Sequence, residues 1–271
     1  MSEASFIESI QKLIPENYIG DDCAIIPMRN FLKNDKLSSE NELYLLVTTD
    51  TLNEKIHFSL DYFSFYDIGF KSLAVNLSDI AACGGIPLFF SVGISVPSYV
   101  SEKNLLEIYN GFKPLLEKYK CILSGGDTVK GDYLSISITI IGKTNKPLQR
   151  AGAKSGDNIY VTGEIGCSSY MLKLFQKKIH SSDNLLIKKH LNPEPRINEI
   201  LTIKNNFKIH SCTDISDGLS TSLFHLSGKD LGCDINFNQI PVIPSMSSIE
   251  NEELIKNILN EGEDYELLFT S

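Results

Sequence analysis

Tryptophan is absent from the 271 residues, and histidine and methionine are scarce, with five and four copies. The histidines form no HExxH motif and no Cys/His ligand spacing, so a zinc site is not expected. The six cysteines include no CxxC pair and lie in apolar segments, which indicates reduced, buried thiols. No apolar run reaches membrane-spanning length, and no signal region opens the chain. We therefore expect a soluble, cytoplasmic protein.

Several catalytic motifs are also missing. The chain has neither the GxSxG elbow of a Ser-His-Asp hydrolase nor the HRD and DFG motifs of protein kinases. Gly142-Lys143-Thr144 resembles the end of a P-loop, but that motif needs a glycine where Ser137 stands, and no helical pattern follows. The net charge of −9 makes nucleic acid and anionic membranes poor partners. An acidic protein that binds polyphosphate needs divalent cations to offset the repulsion.

What the chain does contain is a series of acids at the ends of apolar segments. The apolar run from Leu43 to Val47 leads into Thr48, Thr49 and Asp50. It predicts a buried strand whose carboxyl end places these three residues at a surface, where α/β proteins commonly place chemistry. A strand that merely stops at a polar turn would show the same pattern.

A long apolar helix is predicted from Phe63 to Cys83, ending at Gly84-Gly85. Its apolar residues cover most of its circumference, so the helix should be deeply buried. Asp79 lies one turn before its end, where both the helix dipole and burial disfavour an anion. A structural aspartate satisfied by hydrogen bonds is one explanation, and a bound cation is the one we favour.

Three more segments place acids at turns. Gly20-Asp21-Asp22 opens a short apolar strand, and Ser124-Gly125-Gly126-Asp127 follows the short strand Cys121–Leu123. Two glycines before an acid permit close approach of the backbone to a ligand. Thr213 to Gly218 opens a helix whose free N–H groups, Ser216 and two acids suit a phosphate with a metal. Plain N-capping would look similar. A further strand is expected at Cys233–Phe237.

Six aspartates share this setting: Asp22, Asp50, Asp79, Asp127, Asp214 and Asp217. If several face one cleft, bare carboxylates about 4 Å apart repel by roughly 4 kcal/mol per pair at an effective dielectric near 20. Protons or divalent metal ions relieve that repulsion. Magnesium prefers oxygen ligands and bridges phosphates, so the pattern points to a nucleotide enzyme.

The ordered motifs resemble those of the thiamine-monophosphate kinase family. They are Gly20–Ala24, Thr48–Asp50, Lys71–Ala82, Gly125–Thr128, Asp214–Leu219 and Gly262–Leu267. The family belongs to the ATP-binding superfamily of aminoimidazole ribonucleotide synthetase. The resemblance implies an α/β (α+β) fold of two domains. The N-terminal sheet would pair across a homodimer into a barrel, and a C-terminal α/β domain would follow.

The domain boundary is expected in the segment 143–156, which is rich in Lys, Gly and Ala and includes Pro147. We assign 1–146 to an N-terminal metal-binding, ATP-binding and dimerisation domain and 147–271 to the C-terminal domain. The family continues several dozen residues past Phe269 and includes a late aromatic that stacks on thiamine. We therefore expect that this chain is a shortened form with an incomplete second domain.

The resemblance also implies roles for individual residues. The expected magnesium ligands are Asp22, Thr48, Thr49, Asp50, Asp79, Asp127, Asp214 and Asp217, with Asp50, Asp79 and Asp127 as the catalytic set. Gly126, Asp127, Arg150 and Ser216 would contact ATP, and His57 and Glu263 would contact thiamine monophosphate. Without the resemblance, Arg150 would be interpreted as a solvated linker charge and His57 as a locally bonded histidine.

The implied reaction is ATP-dependent phosphorylation of thiamine monophosphate to thiamine diphosphate, with several Mg²⁺ ions and ATP as co-substrate. The attacking phosphate oxygen is already ionised at neutral pH, so no protein base is required. One alternative is another member of the superfamily, such as a selenophosphate synthetase or a hydrogenase-maturation dehydratase. Selenophosphate synthetase would need a reactive cysteine in a glycine-rich loop, whereas Cys23 lies in an apolar strand. A non-catalytic, acidic metal-binding protein is the other alternative.

Overall fold

The computed structural model describes residues 3–14, 17–30, 42–179, 181–246, 249 and 251–271. The helices are α1 (Glu3–Leu13), α2 (Phe65–Ala82), α3 (Glu102–Tyr119), α4 (Cys167–Gln176), α5 (Asn184–Leu191), α6 (Ile197–Asn206), α7 (Leu219–Ser227) and α8 (Asn251–Asn260). The strands are β1 (Ala24–Pro27), β2 (Tyr44–Asn53), β3 (Ile86–Val96), β4 (Ile122–Lys130), β5 (Ser135–Thr144), β6 (Ile159–Val161), β7 (Ser211–Asp214) and β8 (Leu267–Thr270). None of the helices in these ranges is both long and apolar enough to cross a membrane.

The first half of the chain forms a five-stranded sheet with the order β1-β2-β5-β3-β4. Neighbouring strands are antiparallel except β3 and β4, which are parallel. Strand β5 alternates strictly, because Ile136, Ile138 and Ile140 are fully buried while the serine and threonine between them face the other side. Helix α2 packs against the buried face. The sheet thus has one apolar face under α2 and one hydroxyl-rich face.

Helix α2 begins at Phe65, two residues after the expected start, because Ser64 caps it. Ser64 Oγ accepts a hydrogen bond from the Asp67 N–H, and the Asp67 carboxylate accepts one from the Ser64 N–H, which completes a capping box. The helix is buried on nearly every side, as its all-round apolar pattern predicted. It approaches α3 at Gly111, where an added Cβ would lie 2.1 Å from the carbonyl oxygen of Tyr66. Glycine at this position therefore lets the two helix backbones touch.

The second half forms a three-stranded sheet with the order β6-β8-β7, surrounded by helices. One apolar cluster lies within this half and includes Ile165, Leu219 and Leu268. The larger cluster belongs to the first half, but it also takes in Ile197 and Cys212 from the second. Helix α2 contacts α6 and β7 directly. The two halves therefore share a packed boundary, and acids on either side of it can meet.

Three local expectations are wrong. Strand β2 continues to Asn53, so Asp50 lies inside the strand and not at its end. Strand β4 runs through Gly125 and Gly126, which were expected to form a turn, because parallel pairing with β3 continues after a register shift. An added Cβ on Gly126 would lie 2.0 Å from the Val92 carbonyl oxygen, so close strand approach explains this glycine.

The expected strand at residues 233–237 is absent from the described structure, where Phe237–Gln239 is instead a short 3₁₀ turn. The segment has a β-like composition, but no described strand pairs with it, and strand formation depends on pairing as well as on composition. Five of the six cysteines are free and buried, as expected, but Cys233 is exposed.

Candidate metal centre and phosphate site

Three carboxylates meet at the boundary between the halves. Asp22, Asp79 and Asp214 each place an oxygen within 4.8 Å of the other two. Asp22 precedes β1, Asp79 lies in the last turn of α2, and Asp214 ends β7. The cluster therefore depends on the packing of both halves, and its members are far apart in sequence.

Burial raises the pKa of each carboxyl group, and the charges of neighbouring acids add to the shift. The pKa of Asp214 is raised to about 8, first by burial and then by the charge of Asp22. The pKa of Asp79 is raised well above its ordinary value by burial, and then by the charges of Asp214 and Asp50. Burial also raises the pKa of Asp22, although Arg150 opposes that shift. A bound divalent cation would stabilise the ionised form of these carboxyl groups, so the set of oxygen donors fits magnesium.

A hydroxyl group orients each of the three carboxylates. Thr48 Oγ1 donates to Asp79 Oδ2 over 2.6 Å, and Ser78 Oγ donates to Asp214 Oδ2 over 2.7 Å. Thr213 Oγ1 donates to Asp22 Oδ1 over 3.1 Å. A hydroxyl that donates to one oxygen leaves the other oxygen of each carboxylate for a ligand. Sequence analysis missed Ser78 and Thr213, although each directly precedes one of the acids.

Arg150 joins the segment between the halves to the cluster. Its Nε and Nη2 atoms donate to Asp22 Oδ1 over 3.1 and 2.5 Å, and its backbone N–H donates to Asp21 over 2.6 Å. The side chain remains 27% exposed. The guanidinium therefore balances part of the cluster's negative charge and can still reach an anion in the cleft. The alternative of a solvated linker charge does not describe this position.

Asp50 lies on the α2 face of β2, on the same side as the cluster. Its backbone N–H donates to Oδ1 of the fully buried Asn76 over 3.0 Å, and Asn76 Nδ2 donates to the Ser72 carbonyl over 3.0 Å. The charge of Asp50 raises the pKa of both Asp79 and Asp214. Asp50 thus lies close enough to the cluster for its charge to act on two of the three acids. Asn76 is a third supporting residue, after Ser78 and Thr213, that the sequence did not reveal.

Thr49 and Asp127 lie on the opposite face of the sheet. Thr49 Oγ1 shares a 2.8 Å hydrogen bond with Thr139 Oγ1 across the strands. The strand register places Asp127 in one row with Gly93, Ser137 and Thr51. Three strand spacings of about 4.8 Å separate β4 from β2. Within one chain, the fold does not bring the Asp127 carboxylate to the three clustered acids.

The segment after β7 leads to the N-terminus of α7. Ser216 is partly exposed and Asp217 is exposed, and Asp217 is not one of the three clustered acids. Gly218 precedes the helix with a φ of 95°, a conformation that favours glycine. Ser216 and the start of α7 therefore follow Asp214 directly in the chain, and a helix N-terminus beside a carboxylate cluster is an arrangement that suits a phosphate group with a metal.

The two residues expected to contact the acceptor lie on different halves. His57 Nδ1 accepts a hydrogen bond from the Asn53 backbone N–H over 3.0 Å, so the neutral ring carries its proton on Nε2. Glu263 has a φ of 64°, and its N–H donates to the Ser216 carbonyl over 2.7 Å. Its carboxylate meets Lys71 Nζ at 3.1 Å. Glu263 thus contacts the segment before α7 through its backbone and contacts α2 through its carboxylate.

The fold and the carboxylate cluster define a protein of the AIR synthase related class. The model of "AIR synthase related protein, N-terminal domain" matches residues 20–144, and the model of the C-terminal domain matches residues 154–270. Within this class, the chain belongs to the thiamine-monophosphate kinase family. The expected two-domain fold and the suspected family are thereby confirmed.

Two relatives and two structures illustrate the similarity. The thiamine-monophosphate kinase of Buchnera aphidicola subsp. Schizaphis graminum is 41% identical over 261 residues, covering 93% of this chain and 76% of the relative. That of Escherichia coli K12 is 36% identical, covering 93% and 75%. A structure described as AaThiL complexed with AMPPCP and TMP is 31% identical with a TM-score of 0.86, covering 99% of this chain and 84% of that one. HypE in complex with ATP, 16% identical with a TM-score of 0.69, shares the fold alone.

Proposed function

We propose that this protein transfers the terminal phosphoryl group of ATP to the phosphate of thiamine monophosphate, forming thiamine diphosphate and ADP. The observation that carries the proposal is the cluster of Asp22, Asp79 and Asp214 at the boundary of the halves. It occurs in a chain that is 41% identical to a thiamine-monophosphate kinase over most of both lengths. A cytoplasmic location is part of the proposal, because the free cysteines of the described chain persist in a reducing compartment.

Several magnesium ions belong to this proposal. Asp22, Asp79 and Asp214 would hold them, with Asp50 and Thr48 beside them and Asp217 and Thr49 at further positions. When bound, magnesium neutralises the negative charge of the two phosphate groups that must approach each other. The hydroxyl hydrogen bonds of Thr48, Ser78 and Thr213 fix the carboxylates before the substrates arrive.

ATP would bind between Arg150 and the N-terminus of α7. The Arg150 guanidinium is the cationic group at the cluster, and Ser216 with the first-turn N–H groups supplies hydrogen-bond donors. These donors hold a phosphate without a lysine of the P-loop type. The catalytic contribution of the chain is then alignment and charge neutralisation.

Thiamine monophosphate would lie between His57 and Glu263. The tautomer set by Asn53 leaves His57 Nε2–H as a donor toward a phosphate oxygen. Glu263 is an acceptor for the cationic, amine-bearing thiamine moiety. The attacking phosphate oxygen is already anionic, so none of the acids has to remove a proton.

A homodimer would explain the position of Asp127. Strand β4 is a sheet edge with every residue exposed, and it presents Ile122 at 67% and Val129 at 52% exposure. An exposed apolar edge is a natural site for association. We place a second copy against β4, so that Gly126 and Asp127 serve the site of the partner. Asp127 then joins the catalytic set in the assembly.

The test is an assay with ATP, magnesium and a panel of acceptors, in which thiamine diphosphate is separated and quantified. We expect turnover of thiamine monophosphate and poor turnover of thiamine, whose hydroxyl is not ionised. Asp50→Asn should abolish transfer, whereas Asp230→Asn, at an exposed position away from the cluster, should not. Comparable turnover of both acceptors would contradict the proposed acceptor site.

A further inference from the structure

Lys71 is a charged residue in the middle of α2 whose side chain has no exposed surface. A buried ammonium group is costly unless a counter-charge compensates it. Among the described residues, its ion-pair partner is Glu263, with 3.1 Å between Nζ and Oε2. The ring of Phe63 lies 5.3 Å from the ammonium and adds a cation–π contact. The pair joins the two halves of the chain across 192 residues of sequence.

The backbone around Glu263 is fixed independently of Lys71. The Glu263 N–H donates to the Ser216 carbonyl over 2.7 Å, and the Tyr265 N–H donates to the Ile215 carbonyl over 3.0 Å. An added Cβ on Gly262 would lie 1.8 Å from the Ser216 carbonyl oxygen, so the two segments are in tight contact. What the backbone leaves free is the orientation of the Glu263 carboxylate. Lys71 fixes that orientation by holding Oε2.

The charges of Lys71 and Glu263 act on the aromatic side chains around the ion pair. The charge of Lys71, after burial, lowers the pKa of His190, so that histidine stays neutral. The charge of Glu263, after burial, raises the pKa of Tyr62, whose ring is stacked on Phe175 with centroids 4.4 Å apart. The neighbours are thus neutral aromatic groups. Without Lys71, the Glu263 carboxylate would face them with no described cation in contact.

We infer that Lys71 is a positioning residue for the acceptor: it holds the Glu263 carboxylate in one orientation, with its second oxygen directed to the thiamine moiety. Glu263 is 26% exposed, so part of the carboxylate remains accessible. A carboxylate held through one oxygen can accept from an aminopyrimidine and attract a thiazolium cation through the other. This inference rests on the proposed function, because it assigns Lys71 a part in binding thiamine monophosphate.

The experiment compares Lys71→Met with Lys71→Arg, which keeps the charge, and with Lys103→Met, which removes an exposed lysine of α3. Steady-state constants are measured separately for ATP and for thiamine monophosphate. For Lys71→Met we expect KM for thiamine monophosphate to rise by about tenfold or more, with KM for ATP changed by less than about twofold. Lys71→Arg should recover part of the loss, and Lys103→Met should resemble the unmodified chain.

A merely structural role makes a different prediction. If Lys71 only joins the halves, Lys71→Met should disturb ATP and thiamine monophosphate alike, and that result would overturn the inference. A double variant adds a second criterion. In a Glu263→Gln background, Lys71→Met should raise KM for the acceptor by less than about twofold further, because the group it positions is already altered. Independent, multiplicative effects would also count against it.

The activity of the unmodified chain separates failure of this inference from failure of the proposed function. If Lys71→Met does not fold, Lys71→Gln, which retains a polar end without the charge, is measured by the same criteria. If the unmodified chain forms no thiamine diphosphate, the proposed function fails and this inference fails with it. If the unmodified chain is active but the Lys71 variants show no selective effect on the acceptor, the inference alone is wrong.

Discussion

Carboxylate groups that share a small volume repel each other, and Asp22, Asp79 and Asp214 meet within 4.8 Å. Hydroxyl donors and Arg150 offset only part of that repulsion, since the pKa of each of the three carboxyl groups is still raised. The burial and crowding of these groups therefore cost the metal-free protein stability, and the proposed cation would offset that cost. This trade-off is expected where a site has to accept a divalent ion.

The cost should appear as a pH dependence of stability in metal-free buffer. Burial and Asp22 raise the pKa of Asp214 from 3.8 to about 8, so the folded state binds this proton more tightly than the unfolded state. Its contribution to stability is complete below about pH 4 and is lost as the pH rises toward about 8. Melting temperatures measured across this range with a chelator should therefore fall with pH more steeply for the unmodified chain than for Asp214→Asn.

The same variant should also be stabilised less by magnesium than the unmodified chain. Asp214→Asn should raise the melting temperature at pH 8 without metal, because anion crowding falls, and should reduce the rise that added magnesium causes. An exposed substitution, Asp230→Asn, is the matched control. Equal pH slopes for the unmodified chain and Asp214→Asn would show that Asp214 is not the source of the cost.

Among the elements, helix α2 carries much of the site. It presents Asp79 and Ser78 to the cluster, holds Asp50 through Asn76, and reaches Glu263 through Lys71. Its position relative to the sheet is set partly by α3, which it touches at Gly111 and Gly69. A shift of α2 by a fraction of an ångström would therefore move several functional groups together.

Gly111→Ala tests this dependence. The added methyl group would lie 2.1 Å from the Tyr66 carbonyl oxygen, so α2 and α3 must separate. We expect a loss of about 1–3 kcal/mol in the free energy of unfolding, together with reduced activity. Urea unfolding followed by circular dichroism measures the first quantity. Gly232→Ala, where an added Cβ meets nothing within 4 Å, is the control. A Gly111→Ala variant as stable as the control would refute the close packing.

Local signals predicted the elements whose sequence alone determines them. The capping residue Ser101 marks the start of α3, the apolar pattern predicts α2 to within two residues, and the alternating isoleucines predict β5. Gly125 and Gly126 were interpreted as a turn because glycine permits one, whereas pairing with β3 keeps them in a strand. Strand pairing depends on distant residues, so the local pattern could not show it.

The same limit applies to the site. The acids could be selected from their positions at segment ends and from their resemblance to family motifs. The face of the sheet that each residue occupies could not be predicted. Thr48, Thr49 and Asp50 alternate between the two faces of β2, whereas the strand was expected to end at these residues. The roles of Ser78 and Thr213 appear only when the halves are packed together, because each donates to an acid of the other half, and the role of Asn76 appears only when α2 packs on β2.

At the scale of the whole molecule, the cluster requires both halves, and the proposed dimer adds a second copy at β4. The halves share the apolar core around α2, with Ile197 and Cys212 contributed by the second. The exposed edge of β4 carries Asp127, on the face away from the three clustered acids. We therefore expect that each complete site takes residues from two chains.

Mixed dimers test the origin of Asp127. Asp50→Asn and Asp127→Asn should each be inactive alone. If Asp127 serves the partner, co-expression of the two variants should restore about a quarter of the activity, because half of the dimers are mixed and one of their two sites is intact. The control pair is Asp50→Asn with Asp79→Asn, whose residues act in the same chain and should not complement. No recovery in the first pair would contradict the exchange.

The central claim is that the terminal phosphoryl group of ATP becomes the terminal phosphate of thiamine diphosphate. It is tested most directly by supplying ATP labelled with oxygen-18 in its γ-phosphoryl group, together with magnesium and unlabelled thiamine monophosphate, and analysing the products by mass spectrometry. We predict thiamine diphosphate that carries the labelled phosphoryl group, formed in proportion to ADP. Label found in inorganic phosphate, with thiamine monophosphate unchanged, would contradict the account.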